Sequence, residues 1–252
     1  MKLTTNKRGT LRIGISNTVV PGAKKDFPPP YNVRSRLHYY SSIFNTVEVN
    51  SCFYKTPMLK TFERWATDVP EDFQFTLKLS KEVTHVKEVK GELACMNTFI
   101  NNAGALGHKK GCLLIQFPGK ITVDYFEQVE DILYQLENED AAKEWKKAVE
   151  FRNPTWYIGE TREMLDEYAA TMVLHDIPKA RLTEFAGNAS FVYLRFHGPK
   201  GDYRGSYEDG VLRDKADEIR QWQKDGKDVY AYFNNTAGNA YENAFTLKNL
   251  LT

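Results

Sequence analysis

The sequence predicts an α/β protein, a single (β/α)8 barrel of the TIM type spanning residues 1–252. Eight short apolar segments alternate with segments of helical periodicity, which is the pattern of a parallel α/β fold. Every connection between consecutive apolar segments also has room for the crossover that parallel strands require. A barrel of this type runs to about 250 residues as one unit, and no linker or low-complexity stretch divides this chain. A doubly wound sheet is the alternative.

The first two strands and helices follow from local patterns. A short apolar run at 11–16 ends in polar Ser16, and the proline-rich stretch at 21–31 after it can only be a loop. Apolar and aromatic residues recur at helical spacing over 33–44, which predicts an amphipathic helix leading into a second strand at 46–50. A second helix is predicted at 59–67, where Phe62 and Trp65 share one face.

The middle of the chain predicts three more strands. The third, at 73–79, alternates cleanly, so four apolar side chains share one face and Lys78 lies on the other. A helical stretch at 93–106 precedes an almost continuous apolar run at 111–117, which is typical of a parallel strand covered on both faces. Gln116 is its only polar member. An amphipathic helix at 123–136 leads to a fifth strand that starts at Lys147 and ends before Pro154.

The last third of the chain contains the remaining three predicted strands. A helix at 161–170 precedes a sixth strand at 171–176, which ends before Pro178. The seventh strand, at 190–197, runs into a loop rich in glycine and tyrosine at 201–207, and long loops in compact domains are often functional. A helix at 212–224, an eighth strand at 229–235 and a last helix at 239–251 follow.

Polar residues recur near the carboxyl ends of these strands, where barrels of this type carry their active sites. Pairs such as Glu150 and Arg152 alternate with apolar neighbours and therefore share one face of a strand. We expect one shared polar mouth. Its predicted catalytic residues are Glu150, Glu48, Lys78 and His197, and its predicted substrate-binding residues are Asn50, Gln116, Arg152, Asp176, Arg195, Tyr203 and Asn234.

A structural explanation of the same residues stays open. The two glutamates nearly balance Lys78, Arg152 and Arg195 in charge, and buried ion pairs of this kind can be purely structural. A lone histidine such as His197 is more often a satisfied core residue than a ligand. The recurrence of polar residues at one end of several strands favours a binding site, because packing alone does not explain it.

Composition excludes some partners and locations. The chain has 34 basic and 33 acidic residues, so no global field favours a nucleic acid or an anionic membrane surface. We therefore expect a small polar or anionic substrate, without a nucleic acid or membrane partner. No apolar run approaches the roughly 20 residues of a membrane span, and the first ten residues do not lead into the apolar stretch of a signal peptide. These features predict a cytoplasmic protein, and the sequence leaves its oligomeric state open.

Cofactor motifs are missing from the sequence. The glycines form neither a phosphate-binding loop nor a dinucleotide fingerprint, so no nucleotide cofactor is indicated. Three cysteines without a C-x-x-C pair fit neither a disulfide framework nor a zinc site. No metal is predicted, although a hard divalent ion held by Glu48, Glu150, Asp176 and His197 is an alternative.

Five stretches of the chain form a characteristic series; they lie at 44–54 (FNTVEVNSCFY), 61–65 (TFERW), 149–156 (VEFRNPTW), 192–198 (VYLRFHG) and 232–235 (YFNN). Together they resemble the YecE-like family, the domain of unknown function numbered 72. The resemblance implies a TIM-type barrel and a relationship to sugar isomerases, without a settled reaction. The chain departs from the family pattern at 16–20, where Gly-Trp or Gly-Tyr usually follows the first strand, and at His175-Asp176, where a lone Asp is commoner.

The functional prediction is acid–base, isomerase-like chemistry on a small sugar or sugar phosphate. Proton transfer beside a carbonyl needs a base and donors that stabilise the enolate. Glu150 is the first candidate base and Glu48 the second, while Lys78, Arg195 and His197 are the candidate donors. Two carboxylates would also suit glycoside hydrolysis. Two further alternatives are a nuclease-like barrel that binds single-stranded nucleic acid and a non-catalytic scaffold.

Overall fold

The computed structural model describes residues 7–89 and 93–252, and within these ranges it contains nine strands and eight α-helices. The strands are β1 (Leu11–Ile15), β2 (Thr46–Val49), β3 (Gln74–Lys78), β4 (Lys110–Phe117), β5 (Lys146–Phe151), β6 (Ala170–Met172), β7 (Leu174–His175), β8 (Phe191–Phe196) and β9 (Asp228–Phe233). The helices are α1 (Arg36–Ser41), α2 (Leu59–Thr67), α3 (Lys81–Thr84), α4 (Leu93–Ala103), α5 (Phe126–Asn138), α6 (Gly159–Glu167), α7 (Asp209–Lys224) and α8 (Ala240–Leu251).

All strand pairs between these elements are parallel, and they form two sheets with the orders β2-β3-β4-β5-β6 and β7-β8-β9-β1. The sheets meet on one side where Ser16 forms a parallel bridge with Glu48. On the other side β6 and β7 are separated only by Val173, whose amide donates to Val149 O at 2.9 Å. Strand order around the ring therefore follows chain order, with β6 and β7 sharing the sixth position. The predicted (β/α)8 architecture is confirmed.

Two apolar layers follow from the alternation of side chains along the strands. On β3, Phe75 and Leu77 face outward and pack in the layer between strands and helices. Thr76 lies between them in the chain and faces inward, where its hydroxyl hydrogen-bonds the hydroxyl of Tyr232 at 2.7 Å. A smaller cluster of fully or nearly buried side chains fills the interior; its members include Cys112, Leu114, Ala148, Tyr193, Tyr230 and Tyr232. The interior of the ring is thus filled by side chains up to the polar residues at the carboxyl ends of the strands.

Some predicted boundaries differ from the structure. The first helix is six residues long instead of twelve, because residues 31–33 form a separate 3-10 turn and the Ser35 side chain caps the helix by accepting from the His38 amide. The sixth strand is interrupted at Val173. None of the helices in the described part of the chain is long and apolar enough to cross a bilayer.

The connection from β7 to β8 contains a one-turn 3-10 helix, Pro178–Ala180, and no α-helix. This connection therefore places no α-helix against the outer face of these two strands. A cavity of about 310 Å³ lies there, bounded by Leu174, Leu194 and Phe196 of the strands and by Val211 of α7.

Candidate active site

The Arg195 side chain is the centre of the polar cluster at the carboxyl ends of the strands. Its Nε and Nη2 donate to Glu48 Oε2 and Oε1 at 2.9 and 2.7 Å, and its Nη1 donates to Glu150 Oε2 at 2.6 Å. Neither carboxylate has any exposed area, and Arg195 is 2% exposed. One guanidinium from β8 therefore joins acids from β2 and β5 across the interior of the barrel.

Glu48 is saturated with hydrogen-bond donors. Besides Arg195, the Ser16 hydroxyl donates to Oε1 and the Tyr193 hydroxyl donates to Oε2, both at 2.6 Å. Burial by itself raises the pKa of Glu48, but the Arg195 charge and these hydrogen bonds outweigh it and hold the pKa below its ordinary value. Glu48 is therefore an anion at neutral pH with its lone pairs occupied.

Glu150 is likewise a buried carboxylate with hydrogen-bond donors on both oxygens. The Nε of Arg152 donates to Oε1, while Arg195 occupies Oε2. Burial raises the pKa of Glu150, and the positive charges of Arg152 and Arg195 more than offset this and place the pKa well below its ordinary value. The alternation predicted from the sequence is therefore correct in placing Glu150 and Arg152 on one face of the chain, where they form an ion pair.

His197 links both arginines. Its Nε2 lies 3.1 Å from Arg152 Nη2 and 3.2 Å from Arg195 Nη1, and because a guanidinium can only donate, this nitrogen must be an acceptor. The ring is then neutral with its proton on Nδ1, which lies 3.4 Å from Asp176 Oδ1. Burial lowers the pKa of His197 to about 4, in agreement with a neutral ring. Asp176 accepts further hydrogen bonds from the His197 amide and the Tyr207 hydroxyl.

A cavity of about 190 Å³ opens above this cluster. The carboxylates of Glu48 and Glu150 are not part of its wall, whereas three cationic side chains are. The charge presented to a ligand is therefore positive, although the cluster as a whole is nearly neutral. The lining residues are Asn50, Phe53, Tyr54, Lys78, Gln116, Arg152, Arg195, Tyr203 and Asn234.

Lys78 is held at the end of β3 by two contacts. Its Nζ donates to Gln116 Oε1 at 2.8 Å and lies 4.1 Å from the centroid of the Phe53 ring. Burial, followed by the nearby charge of Arg195, lowers the pKa of Lys78 to about 8, although the two buried glutamates act in the opposite direction. The amino group consequently exists in both protonation states near neutral pH.

A second histidine, which the sequence reasoning missed, lies beside Lys78. His85 Nε2 is 3.5 Å from Gln116 Nε2, and the His85 ring packs edge-on against Phe53 at 4.7 Å. Burial and the charge of Lys78 lower the pKa of His85 to about 4. Because His85 follows a short helix after β3, no strand pattern marked it.

Two further partners of Glu48 were also missed. Tyr193 lies two residues before Arg195 on the same face of β8, and Ser16 follows β1. The alternation along a strand was a usable signal for Tyr193, and the polar end of the first strand was one for Ser16.

The loop after β8 closes one side of the cavity. Tyr203 has a left-handed backbone (φ 66°), its amide donates to His197 O at 2.7 Å, and its hydroxyl accepts from Arg152 Nη1 at 3.3 Å. On the opposite side, Asn50 has a buried Oδ1 with no hydrogen-bond partner in the described structure.

The predicted site residues thus occupy three positions. The carboxylates of Glu48 and Glu150 and the ring of His197 lie beneath the cavity, and Asp176 lies behind His197, against the outer cavity. The remaining seven line the mouth; they are Asn50, Lys78, Gln116, Arg152, Arg195, Tyr203 and Asn234. Among residues 7–89 and 93–252, no group of three or more histidine, cysteine, aspartate or glutamate side chains is arranged to hold a metal ion.

Comparison with known proteins agrees with this architecture. The model of the family described as "Protein of unknown function DUF72" matches residues 12–252. The chain belongs to the DUF72 family. A curated relative, the UPF0759 protein YunF of Bacillus subtilis (strain 168), is 26% identical over 245 residues, with 84% of each chain covered.

Two solved DUF72 structures have the same fold as this chain. A family protein of Enterococcus faecalis V583 superposes with a TM-score of 0.78 at 22% identity, covering 96% of this chain and 95% of that one. One from Thermotoga maritima MSB8 gives a TM-score of 0.74 at 25% identity, covering 96% and 99%. The DUF72 comparisons establish fold and family, and they assign neither an activity nor a substrate.

Proposed function

We propose that the mouth of this DUF72 barrel binds a small anionic, hydroxylated substrate of the sugar phosphate or sugar acid class and carries out isomerase-like acid–base chemistry. The observation that carries the proposal is the separation of charge at the site. Lys78, Arg152 and Arg195 face the cavity, while the carboxylates that balance them lie beneath it. A ligand therefore meets cations first.

Arg152 supplies donors for an anionic group. A guanidinium carries five N–H groups, and the contacts to Glu150, Tyr203 and His197 use one each on Nε, Nη1 and Nη2. One N–H remains on each terminal nitrogen. These two free N–H groups are the donors that Arg152 offers to the oxygens of a carboxylate or phosphate.

Hydroxyl groups are supported by the amide side chains of the wall. Asn50 and Asn234 both line the cavity, and their amide side chains are the candidate partners of substrate hydroxyls. The cavity volume corresponds to about six water molecules at roughly 30 Å³ each, which is room for a small metabolite and not for a polymer segment.

Lys78 is the proton-transfer group in this proposal. An acid–base catalyst works best with a pKa near the working pH, and the pKa of Lys78 is lowered to about 8. The base role predicted for Glu150 stays a prediction, but the geometry favours Lys78, because both Glu150 oxygens are bonded to arginines and its pKa lies well below the ordinary range. Neither glutamate lines the cavity, so the geometry also gives no support to two-carboxylate glycoside hydrolysis.

The first test is a thermal-shift screen with sugar phosphates, sugar acids and neutral sugars. A ligand at 100 times its dissociation constant stabilises a protein by about 2.7 kcal/mol, which the screen detects. Anionic sugars should shift the melting temperature and neutral ones should not. If no anionic compound binds, the proposal is wrong. If a labelled oligonucleotide binds instead, with affinity that falls steeply with salt, the nucleic-acid alternative replaces it.

The second test measures proton transfer directly. A ligand from the screen is incubated in deuterated water, and NMR follows deuterium incorporation at the carbon beside its carbonyl. Lys78→Met should lower the exchange rate by roughly 10²–10⁴-fold. Lys120→Met, which removes an exposed lysine that follows β4, is the matched control and should leave the rate unchanged. Wild-type exchange in Lys78→Met would exclude the lysine from the reaction.

A further inference from the structure

We propose that the Lys78 amino group is a nucleophile that forms an imine with the carbonyl carbon of an anionic aldehyde or ketone bound in the mouth. The inference rests on the proposed function, because it uses the same cavity and the same cations, and it replaces direct proton transfer by Lys78 with a covalent step at the same nitrogen. It narrows the substrate class to small oxo compounds that carry a carboxylate or a phosphate.

The surroundings of Lys78 differ from those of other lysines on the barrel strands. Lys110 and Lys147 each form an ion pair with a glutamate, and no carboxylate in the described ranges forms one with Lys78. The Lys78 nitrogen instead has an amide oxygen on one side and an aromatic face on the other, and it borders the cavity. A lysine whose direct contacts are uncharged and which borders a cavity is placed to react with a ligand, whereas an ion-paired lysine is held in its charged form.

Electrostatics make the uncharged amine accessible. Lysine nucleophiles in proteins are activated by burial in a poorly solvated pocket or by a neighbouring cation, and both conditions hold for Lys78. Burial and the positive charge of Arg195 lower the pKa of Lys78 to about 8. The free amine is therefore more populated near neutral pH than it is for a lysine with the ordinary pKa of about 10.4.

The reaction balances with one proton from solvent and no further reactant. The nitrogen lone pair forms a bond to the carbonyl carbon, the carbonyl electron pair moves to oxygen, and the proton lost by nitrogen passes to that oxygen. A proton from solvent then protonates the resulting hydroxyl, the nitrogen lone pair expels it as one water, and the carbon–nitrogen double bond forms as an iminium that carries that positive charge. No electrons are gained or lost, and no oxidant or reductant takes part. The positively charged iminium withdraws electrons from the neighbouring carbon, which makes proton transfer there easier than in the free carbonyl compound.

Two neighbours define the geometry of the step. Gln116 Oε1 accepts one hydrogen from Lys78 and so orients the nitrogen, while Arg152 holds the anionic group through its two remaining donors. The carbonyl of an oxo acid lies next to its carboxylate. Arg152 therefore selects compounds that carry a negative charge, and the Lys78 nitrogen forms the covalent bond to their carbonyl carbon.

Borohydride trapping tests the inference. The full chain is incubated with glyoxylate, the smallest anionic aldehyde, and sodium borohydride reduces any imine to a stable carboxymethyl-lysine that peptide mass spectrometry locates. We expect modification at Lys78 at least tenfold above that at exposed Lys120, with a yield that rises with pH through about 8. Lys78→Arg keeps the cation and should lose the adduct. Modification spread evenly over exposed lysines, with Lys78 no higher than Lys120, would overturn the inference.

A neutral aldehyde separates the roles of the two cations. Arg152→Gln should reduce trapping of glyoxylate at Lys78 by tenfold or more while trapping of glycolaldehyde, which has no charge, stays within about twofold of wild type. An equal effect on both aldehydes would contradict anion selection by Arg152.

The same protein samples also distinguish failure of this inference from failure of the proposed function. Sulfate cannot form an imine, and its binding is measured by thermal shift. If sulfate stabilises the wild type but glyoxylate leaves Lys78 unmodified, the imine is excluded and an anion-binding acid–base site stands. If sulfate and the sugar phosphates all fail to bind, the proposed function itself is wrong.

Discussion

Replacing Arg195 by methionine tests the central claim about the polar cluster, that one buried cation holds two buried acids. Arg195 donates three hydrogen bonds to Glu48 and Glu150, and neither acid has exposed area. Removing one partner of a buried ion pair costs about 3–5 kcal/mol, because the other charge stays behind without compensation. Here Ser16 and Tyr193 still hold Glu48, so we expect a loss in the middle of that range, about 4 kcal/mol.

The assay is urea unfolding at pH 7, supported by calorimetry. At roughly 2–4 °C per kcal/mol for a chain of this size, the melting temperature should fall by about 8–16 °C. Arg213→Met is the control, since its guanidinium is exposed and lies 3.9 Å from Asp209 on the surface of α7. That variant should change the free energy of unfolding by less than about 0.5 kcal/mol. A loss in Arg195→Met no greater than in the control would refute the reasoning.

The pH dependence of the loss has a definite sign. In the wild type the folded pKa of both glutamates is depressed, so they contribute stability that is present above the ordinary carboxyl pKa and lost as the pH falls through the folded values. Without Arg195, the effect of burial dominates and raises the pKa of Glu48. The buried carboxylate then destabilises the variant near neutral pH, and protonation of Glu48 at lower pH removes that destabilisation. The difference between wild type and variant should therefore be largest near pH 7 and shrink toward pH 4.

A milder variant covers the case in which Arg195→Met does not fold. Tyr193→Phe removes a single hydrogen bond to Glu48 Oε2 and keeps the ring in place. Hydrogen bonds to charged groups contribute about 1.5–3 kcal/mol, so this variant should be destabilised by that amount. No measurable loss would show that Glu48 does not depend on its buried donors.

Three other outcomes follow from the structure. Sulfate affinity should decrease as the pH rises through about 8 and Lys78 loses its proton, whereas Lys78→Met should show no such decrease between pH 7 and 9 in a thermal-shift titration. Tyr232→Phe removes the hydroxyl that joins two threonines inside the ring and should cost about 1–2 kcal/mol in urea unfolding; no loss would contradict a structural role. Gly198→Ala should weaken sulfate binding, because its backbone is left-handed (φ 99°) and a Cβ would lie 2.2 Å from the Arg204 carbonyl oxygen, whereas Gly210→Ala on α7 meets nothing within 4 Å and should bind like wild type.

The fold was predictable because strand and helix periodicities are local. The alternation along β3 correctly divided its residues between the outer layer and the interior, and the apolar run of β4 marked a strand buried on both faces. The early end of α1 and the break at Val173 were not predictable, because they depend on a capping serine and on tertiary strand pairing.

The site was only partly predictable. Periodicity shows which face of a strand a residue occupies, so the convergence of Glu48, Glu150 and Arg195 at one end of the barrel was visible from the sequence. Periodicity does not show which partner a side chain bonds to or how deeply that side chain is buried. That both carboxylates would be covered by guanidinium groups, leaving Lys78 at the cavity, depends on packing across the ring, where Arg195 lies 147 positions from Glu48 and 45 from Glu150 in the chain.

The closed order of the strands also constrains how the chain is made. Ribosomes deliver a chain from its amino end at about 5–20 residues per second, so β2 and β5 leave the ribosome before β8, which carries Arg195. Until then neither glutamate has that cation, and a half-built ring would have to bury Glu48 without its principal counter-charge. The free-energy cost of that burial opposes early closure. The same ion network that stabilises the finished barrel therefore delays compaction of the amino-terminal half and couples it to the synthesis of the last strands.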